Sequence, residues 1–110
     1  MDILEVSEGI IQVMPEGRID ATNVQAFEET VLPQVKPPCR GIIVNLEKLE
    51  YISSAGLRAV LKLAKAAKAA QIKLVLCSLV PDVAEVFKIS GFNLLLTIVP
   101  DLSAAQQSLS

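Results

Sequence analysis

Two short apolar segments constrain the fold of this chain more than any other feature. Gly41–Leu46 and Lys73–Cys77 have the length of strands and consist mainly of Ile, Leu and Val. Such uninterrupted runs are typical of strands covered on both faces, as in parallel sheets. Between them, Ala55–Ala70 has the period of a one-sided helix. Its apolar face consists of Leu57, Val60, Leu61 and Ala64. The segment therefore predicts two parallel strands joined by a right-handed helical crossover.

The rest of the chain continues this alternation of strands and helices. Ile3–Val6 and Ile10–Met14 are predicted to form a hairpin, and the second strand is expected to resume at Gly17–Ile19 after Pro15. The later elements are a helix with Val24, Phe27 and Val31, a helix from Pro81 to Gly91, a strand at Leu96–Val99 and a helix at Leu102–Leu109. The order β-β-α-β-α-β-α-β-α predicts a single α/β domain over residues 1–110, with one mixed sheet and four helices.

Composition narrows the possible functions. Hydrophobic residues make up 52% of the chain and aromatic residues only 4%, so an aliphatic core is expected. The formal net charge is −2. Because phosphate binding needs an excess of Lys and Arg, nucleic acid is not expected as a partner. Histidine is absent, which removes the commonest general base and the commonest metal ligand. We therefore expect no metal site, no cofactor and no catalytic residues.

Cysteine spacing and hydropathy bear on the cellular compartment. Cys39 and Cys77 are 38 positions apart and form no C-x-x-C pair, which is typical of proteins in a reducing compartment. The first residues are neither basic nor followed by a long apolar run, so no signal peptide is expected. The apolar runs are far shorter than the roughly 20 residues that span a bilayer. The sequence therefore predicts a cytoplasmic protein without direct membrane insertion.

The most informative segment joins the first apolar strand to the helix that follows it. Ser53 and Ser54 stand where a helix N-cap is expected, and two small residues, Ala55 and Gly56, come next. One interpretation is structural, with a serine capping the helix and Gly56 relieving crowding at the turn. The other is functional, with the small residues leaving the helix start open to a partner and Ser54 exposed to modification. The residues alone leave both interpretations open.

Charged residues supply further candidates. Basic side chains recur along the same predicted helix at Arg58, Lys62, Lys65 and Lys68. They form either a solvated face or an electropositive surface for an acidic partner or a ligand phosphate. Asp20 is a candidate N-cap for the helix that begins near Thr22. Because Asp20 and Ser54 each follow a strand and precede a helix, we expect them to share one rim of the domain.

Three segments resemble the STAS-domain anti-sigma factor antagonists. Tyr51–Leu57 is similar to that family's phosphorylation-site signature, aromatic–hydrophobic–Asp–Ser–Ser/Thr–Gly–Leu. Gly17–Asp20 resembles its Gly-x-Leu-Asp segment, and Ile42–Leu46 resembles its apolar strand ending in Asp-Leu or Asn-Leu. Ser53 stands where the family often has Asp, and Ala55 where it often has Ser or Thr. The predicted element order agrees with a single STAS-like domain.

This resemblance implies a regulatory binding protein that is switched by phosphorylation. Ser54, two residues before Gly56, aligns with the phosphorylated serine, which makes Ser53 the predicted helix cap. In such a protein the unphosphorylated form binds an anti-sigma factor with serine-kinase activity and thereby releases a sigma factor. The kinase uses ATP to phosphorylate the serine, and a PP2C-type phosphatase reverses the reaction. The partner-binding residues predicted in this chain are Asp20, Ser53, Ser54, Ala55, Gly56, Arg58 and Lys62.

The sequence is also compatible with two other functions. The departures at Ser53 and Ala55 are compatible with a STAS subunit that does not switch, such as an accessory part of a membrane transporter. The start of the helix at Ser54 is compatible with a nucleotide-binding or small-molecule-binding module. An enzyme is the weakest alternative, since no acid–base pair and no nucleophile–base pair is visible in the sequence.

Overall fold

A computed structural model describes residues 1–109 of the chain, and Ser110, the last residue of the predicted domain, lies outside this part. The strands are β1 (Asp2–Ser7), β2 (Ile10–Met14), β3 (Gly17–Ile19), β4 (Gly41–Asn45), β5 (Leu49–Ile52), β6 (Lys73–Cys77) and β7 (Ile98–Val99). The α-helices are α1 (Val24–Val31), α2 (Ser54–Ala69), α3 (Pro81–Ser90) and α4 (Leu102–Leu109). Short 3-10 helices follow α1 at Leu32–Gln34 and α3 at Phe92–Leu94.

The main sheet contains five strands in the order β1-β2-β4-β6-β7. β1 and β2 form the antiparallel hairpin predicted at the start of the chain, with Gly9 at a φ of 76° in the turn. The pairs β2–β4, β4–β6 and β6–β7 are parallel. Each parallel connection contains a helix, as the strand–helix alternation requires. The α/β class, the mixed sheet and the four helices are therefore as predicted.

Helices cover both faces of the sheet, which explains the uninterrupted apolar strands. Ile42 and Val44 of β4 face the larger hydrophobic cluster, which includes side chains from α1, α2 and α3. Ile43 of β4 and Val75 of β6 face the opposite way and pack against α4. Because successive strand residues alternate between the faces, a strand covered on both sides must be apolar throughout. No helix in residues 1–109 is long and apolar enough to cross a membrane.

One part of the fold was not anticipated. The sequence predicted that Gly17–Ile19 would extend the second strand, whereas it forms β3, which pairs in parallel with β5 in a separate two-stranded sheet. Pro15 interrupts the chain between β2 and β3, since it lacks the N–H that a sheet ladder needs. β5 was missed because only Leu49 and Ile52 of its residues are buried. The last strand is also shorter than predicted, spanning Ile98–Val99.

The C-terminal end of α4 is held by two basic side chains. Arg40 donates from Nη1 to the carbonyl oxygen of Leu109 at 3.3 Å. Lys73 donates from Nζ to the carbonyl oxygen of Ser108 at 2.8 Å. The last carbonyls of a helix have no partners within the helix, and the negative end of its dipole attracts cations. These contacts fasten a short helix to the start of β4 and β6.

A polar pair is buried among the apolar strands. Asn45 at the end of β4 donates from Nδ2 to Oε1 of Gln12 on β2 at 3.1 Å. The Oδ1 atom of Asn45 accepts from the backbone N–H of Glu47 at 3.2 Å. The side chains of Gln12 and Asn45 are both buried. Asn45 therefore fixes the turn that leads from the main sheet to β5.

The first prediction concerns this polar pair. Asn45→Ala removes a donor from Gln12 and an acceptor from Glu47, so unfolding free energy should fall by about 1–3 kcal/mol. Urea unfolding measures the change. The matched control is Asn93→Ala at an exposed position, which should change stability by less than about 0.5 kcal/mol. Equal stability of the two variants would contradict the assigned role of Asn45.

Candidate functional site

The candidate site is built around the first turn of α2. Ser53 is the N-cap, with an extended backbone and its Oγ accepting from the N–H of Gly56 at 3.2 Å. Ser54 is the first helical residue and its side chain is exposed. The sequence therefore placed the cap and the exposed serine correctly. Since the Ser53 hydroxyl is engaged by the helix, Ser54 offers the more accessible hydroxyl of the two.

Gly56 allows α2 to start directly against the small sheet. A Cβ atom at this position would lie 2.7 Å from Cγ1 of Ile52 and 2.9 Å from the carbonyl oxygen of Ile19. Real Cβ atoms do not approach backbone so closely, so any larger residue would push the helix away from β3. The close contact, and not an unusual backbone angle, is the reason for glycine here.

The pairing of β3 with β5 brings Asp20 to the same end of the molecule as Ser54. Ile19 lies opposite Ile52 in the parallel register, and the N–H of Ser53 donates to the carbonyl oxygen of Ile19 at 2.9 Å. Asp20 follows β3 directly, and Ser53 and Ser54 follow β5 directly. The carboxyl ends of the two strands thus place Asp20 beside the start of α2, on the expected shared rim.

Asp20 is held as an ionised carboxylate. Its Oδ1 accepts from the hydroxyl of Thr22 and from the N–H of Thr22, the latter at 2.9 Å. Its Oδ2 accepts from Nε of Arg18 at 2.8 Å. The hydrogen bond from the Thr22 hydroxyl and then that from Arg18 lower the pKa of the Asp20 carboxyl. Asn23 is the N-cap residue of α1, so Asp20 organises the preceding turn and does not cap the helix itself.

Arg18 and Tyr51 form a stacked pair next to this carboxylate. The Arg18 guanidinium lies 4.7 Å from the centroid of the Tyr51 ring. Both side chains are exposed, while their neighbours Ile19 and Ile52 point into the core. Neither Arg18 nor Tyr51 was predicted as a site residue. The sequence signal for Arg18 and Tyr51 was that each precedes an apolar residue, Ile19 or Ile52, and so faces the opposite way in a strand. That signal can be interpreted only once the β3–β5 pairing is known.

The basic residues of α2 differ in their surroundings. Arg58 lies one turn after Ser54 and is exposed. Lys62, one turn further, makes an ion pair from Nζ to Oε2 of Glu28 on α1 at 2.9 Å. Lys62 therefore joins α2 to α1 at the surface, a contact that sequence analysis did not anticipate. Its predicted partner-binding role stays a prediction.

An open cleft of about 360 Å³ lies beside the site, between β3 and α1. Arg18, Ile19, Asn23 and Phe27 contribute to its lining, whereas Ser53 and Ser54 do not. Within residues 1–109, no three His, Cys, Asp or Glu side chains come together as possible metal ligands. The chemistry that the rim offers is accordingly that of an exposed hydroxyl, a fixed carboxylate and a stacked guanidinium.

Comparison with known proteins assigns the family. Residues 3–105 match the STAS domain. The chain therefore belongs to the STAS-domain family.

Relatives in this family include proteins concerned with anti-sigma factors. The chain is 39% identical over 98 residues to BtrV of Bordetella bronchiseptica, provisionally named an anti-sigma factor antagonist, covering 89% of this chain and 84% of BtrV. Its fold resembles the unphosphorylated form of the anti-sigma factor antagonist SpoIIAA, with a TM-score of 0.80, 20% identity and coverage of 97% and 94% of the two chains. For the phosphorylated form of SpoIIAA from Bacillus the TM-score is 0.74 at 19% identity, covering 97% of each chain.

The second prediction tests the close contact at Gly56. Gly56→Ala forces α2 away from Ile19 and Ile52, and we expect unfolding free energy to fall by about 1–3 kcal/mol. The higher helix propensity of Ala offsets at most about 1 kcal/mol of this loss. Thermal and urea unfolding provide the measurement.

The control for Gly56 is the same change at a second buried glycine. At Gly41 an added Cβ would meet Cδ1 of Leu109 at 3.2 Å, which is the movable end of a side chain. Gly41→Ala should therefore cost less than Gly56→Ala. The reverse order of stabilities would show that the α2–β3 contact is not the tighter of the two.

The third prediction follows from the lowered pKa of Asp20. A carboxyl whose pKa is lower in the folded than in the unfolded state stabilises the fold at pH values above the unfolded-state pKa. The contribution of Asp20 is therefore present at neutral pH and is lost as the pH falls through its folded-state pKa. Carboxyl NMR titration should show that Thr22→Val raises the pKa of Asp20, because it removes the hydroxyl donor. Thr30→Val is the control, since the Thr30 hydroxyl donates to the Ala26 carbonyl oxygen instead. An unchanged Asp20 titration in Thr22→Val would refute this assignment.

Proposed function

We propose that this protein is an anti-sigma factor antagonist of the cytoplasm, and that phosphorylation of Ser54 controls its binding to an anti-sigma factor with serine-kinase activity. The observation that carries the proposal is an exposed Ser54 at the start of α2, beside the ionised Asp20. The relationship to BtrV supports the same class of function. In this scheme the chain is the substrate of the kinase and has no catalytic role of its own.

The unphosphorylated rim suits close approach by another protein. Ser53, Ser54 and Ala55 have small side chains, so a partner's backbone can reach the first turn of α2. Arg58 extends the surface along the helix. Arg18 and Tyr51 add an exposed cation and an exposed ring, the side-chain types that contribute most to protein interfaces. This rim combines a flat centre with larger side chains around it.

Phosphorylation would change the rim without disturbing the fold. The kinase transfers the γ-phosphoryl group of ATP to Oγ of Ser54, which loses its proton, and ADP leaves. The product carries about −1.5 to −2 charges, which the positive end of the α2 dipole tolerates. A partner packed over Ala55 would have to bury that charge and accommodate its bulk, so the complex should dissociate. Hydrolysis of the phosphate ester by a PP2C-type phosphatase would restore the hydroxyl.

Ser54 is a better phosphate acceptor than its neighbour. The Ser53 hydroxyl caps α2 by accepting from Gly56, and modification there would break a structural hydrogen bond. Ser54 has no such constraint from its position, because it is the first residue within the helix and faces solvent. The departures from the family signature at Ser53 and Ala55 leave this geometry intact.

The fourth prediction separates binding from folding at Ser54. Ser54→Asp places a negative charge at the helix N-terminus, which should leave stability unchanged or raise it by about 0.3–1 kcal/mol. The same charge in the interface should weaken binding to the kinase partner by roughly 2–5 kcal/mol, or about 30-fold or more. Ser54→Ala should bind the partner but resist phosphorylation. Calorimetric titration and thermal melting measure both effects.

Ser53→Ala is the matched control for these variants. It should lose about 1 kcal/mol of stability through the missing cap, with a modest effect on binding. If Ser54→Asp binds as tightly as the wild type, and Ser54 stays unmodified with ATP and the kinase, the switch is wrong. The chain would then be better described as a non-switching STAS subunit, such as part of a transporter.

A further inference from the structure

Two large aliphatic side chains are strongly exposed far from the Ser54 rim. Leu94 is 85% exposed and Leu95 is 65% exposed, in the segment that connects α3 to β7. Ile89, near the end of α3, is 77% exposed. We call Leu94 and Leu95 the distal leucines. Clustered exposed apolar groups of this kind mark interaction sites, because their hydration is unfavourable.

Two grooves flank the distal leucines. One, of about 220 Å³, lies against the second half of α2 and includes Ala64, Lys68, Ile72 and Leu95. The other, of about 530 Å³, lies between α3 and β7 and includes Ala84, Lys88, Ile98 and Val99. Leu96 lines both grooves, so they lie on either side of this residue. Together they can receive side chains of a bound segment next to Leu94 and Leu95.

The charged residues that line these grooves have one sign. Lys68 and Lys73 line the smaller groove and Lys88 lines the larger one, with no Asp or Glu among the described residues of either. The ammonium of Lys73 is directed to the Ser108 carbonyl oxygen, which leaves Lys68 and Lys88 as the freer cations of this set. Glu85 lies on the outward face of α3, one turn before Ile89, and lines neither groove. The lining of the grooves is therefore largely apolar, with lysine as its charged component.

We call the distal leucines and the two grooves together the distal surface. We propose that the distal surface docks a second protein through an acidic segment with exposed leucine-type side chains. Apolar side chains would cover the distal leucines and enter the grooves, while Asp or Glu would pair with Lys68 and Lys88. A second copy of the chain fits less well. In a two-fold interface the same patch meets itself, so the lysines would face like charges.

The distal surface is separate from the Ser54 rim. Lys68 follows Ser54 by 14 residues on α2, which is about 21 Å along the helix axis. A segment bound at Lys68 and Leu95, which line the smaller groove, would therefore lie well away from Ser54. The chain could hold two proteins at once, with only one of them released by phosphorylation.

The test uses a labelled helical peptide of Leu and Glu, with leucines spaced at i, i+3, i+4 and i+7. Two matched peptides replace every Glu by Lys or every Leu by Gln. Methyl NMR of the full chain should show shifts at Leu94, Leu95 and Leu96 with the Leu–Glu peptide. By fluorescence anisotropy this peptide should bind roughly tenfold or more tightly than either matched peptide, and less tightly as salt screens the charges.

Variants of the chain locate the binding. Leu94→Ser combined with Leu95→Ser, and separately Lys68→Glu, should each weaken peptide binding by roughly tenfold. The double serine variant should leave the melting temperature nearly unchanged, because its altered side chains are exposed. Lys68→Glu should lower it slightly, because a carboxylate in the last turn of α2 opposes the helix dipole. Leu4→Ser, at a residue 49% exposed on β1, is the control and should bind as the wild type does. Ser54→Asp should also bind normally, which distinguishes this surface from the Ser54 rim.

Three results would overturn the proposal. The first is equal binding of the Leu–Glu and Leu–Lys peptides, which would remove the charge selectivity. The second is unchanged binding by the double serine variant. The third is a dimer of the free chain in sedimentation that the double serine variant abolishes, which would make a second copy the occupant.

Discussion

Burial of β4 on both faces is the constraint on which the rest of the domain depends. Every residue from Gly41 to Asn45 is buried, with β2 and β6 on either side of the strand. A strand in this position needs helices above and below the sheet, and within residues 1–109 α4 is the helix that covers the face with Ile43 and Val75. Gly41 at its start meets the side chain of Leu109. After β7 the chain returns to this face of the sheet, where α4 completes the core.

The geometry of the candidate site depends on β4 through a short series of contacts. Asn45 ends β4 and shapes the turn to β5. β5 pairs with β3, and the contact of Gly56 with Ile19 and Ile52 places the first turn of α2 against both. Ser54 is therefore positioned by packed backbone and not by a flexible loop. In the proposed switch, phosphorylation would add charge at Ser54 while the elements beneath it keep their places.

Sequence periodicity was sufficient for the elements that are long or buried on both faces. β4, β6 and α2 were predicted with nearly the observed bounds, and Ser53 was correctly identified as the cap. The small sheet was not predicted, because three or four residues with only one buried side carry too little pattern. The stacking of Arg18 on Tyr51 and the Lys62–Glu28 ion pair were missed for a related reason. Both join residues that are distant in sequence, and only the tertiary pairing brings them together.

The attachment of α4 has a consequence for the chemistry of Cys77. That thiol is fully buried in the cluster that α4 covers, together with Ile43, Val75 and Ala105. Burial raises the pKa of the Cys77 thiol and keeps reagents away from it. Arg40 and Lys73 hold the end of the helix through the side-chain contacts described above. The rate at which a thiol reagent modifies Cys77 would therefore depend on how often α4 detaches transiently. That rate would measure local opening of the domain separately from global unfolding.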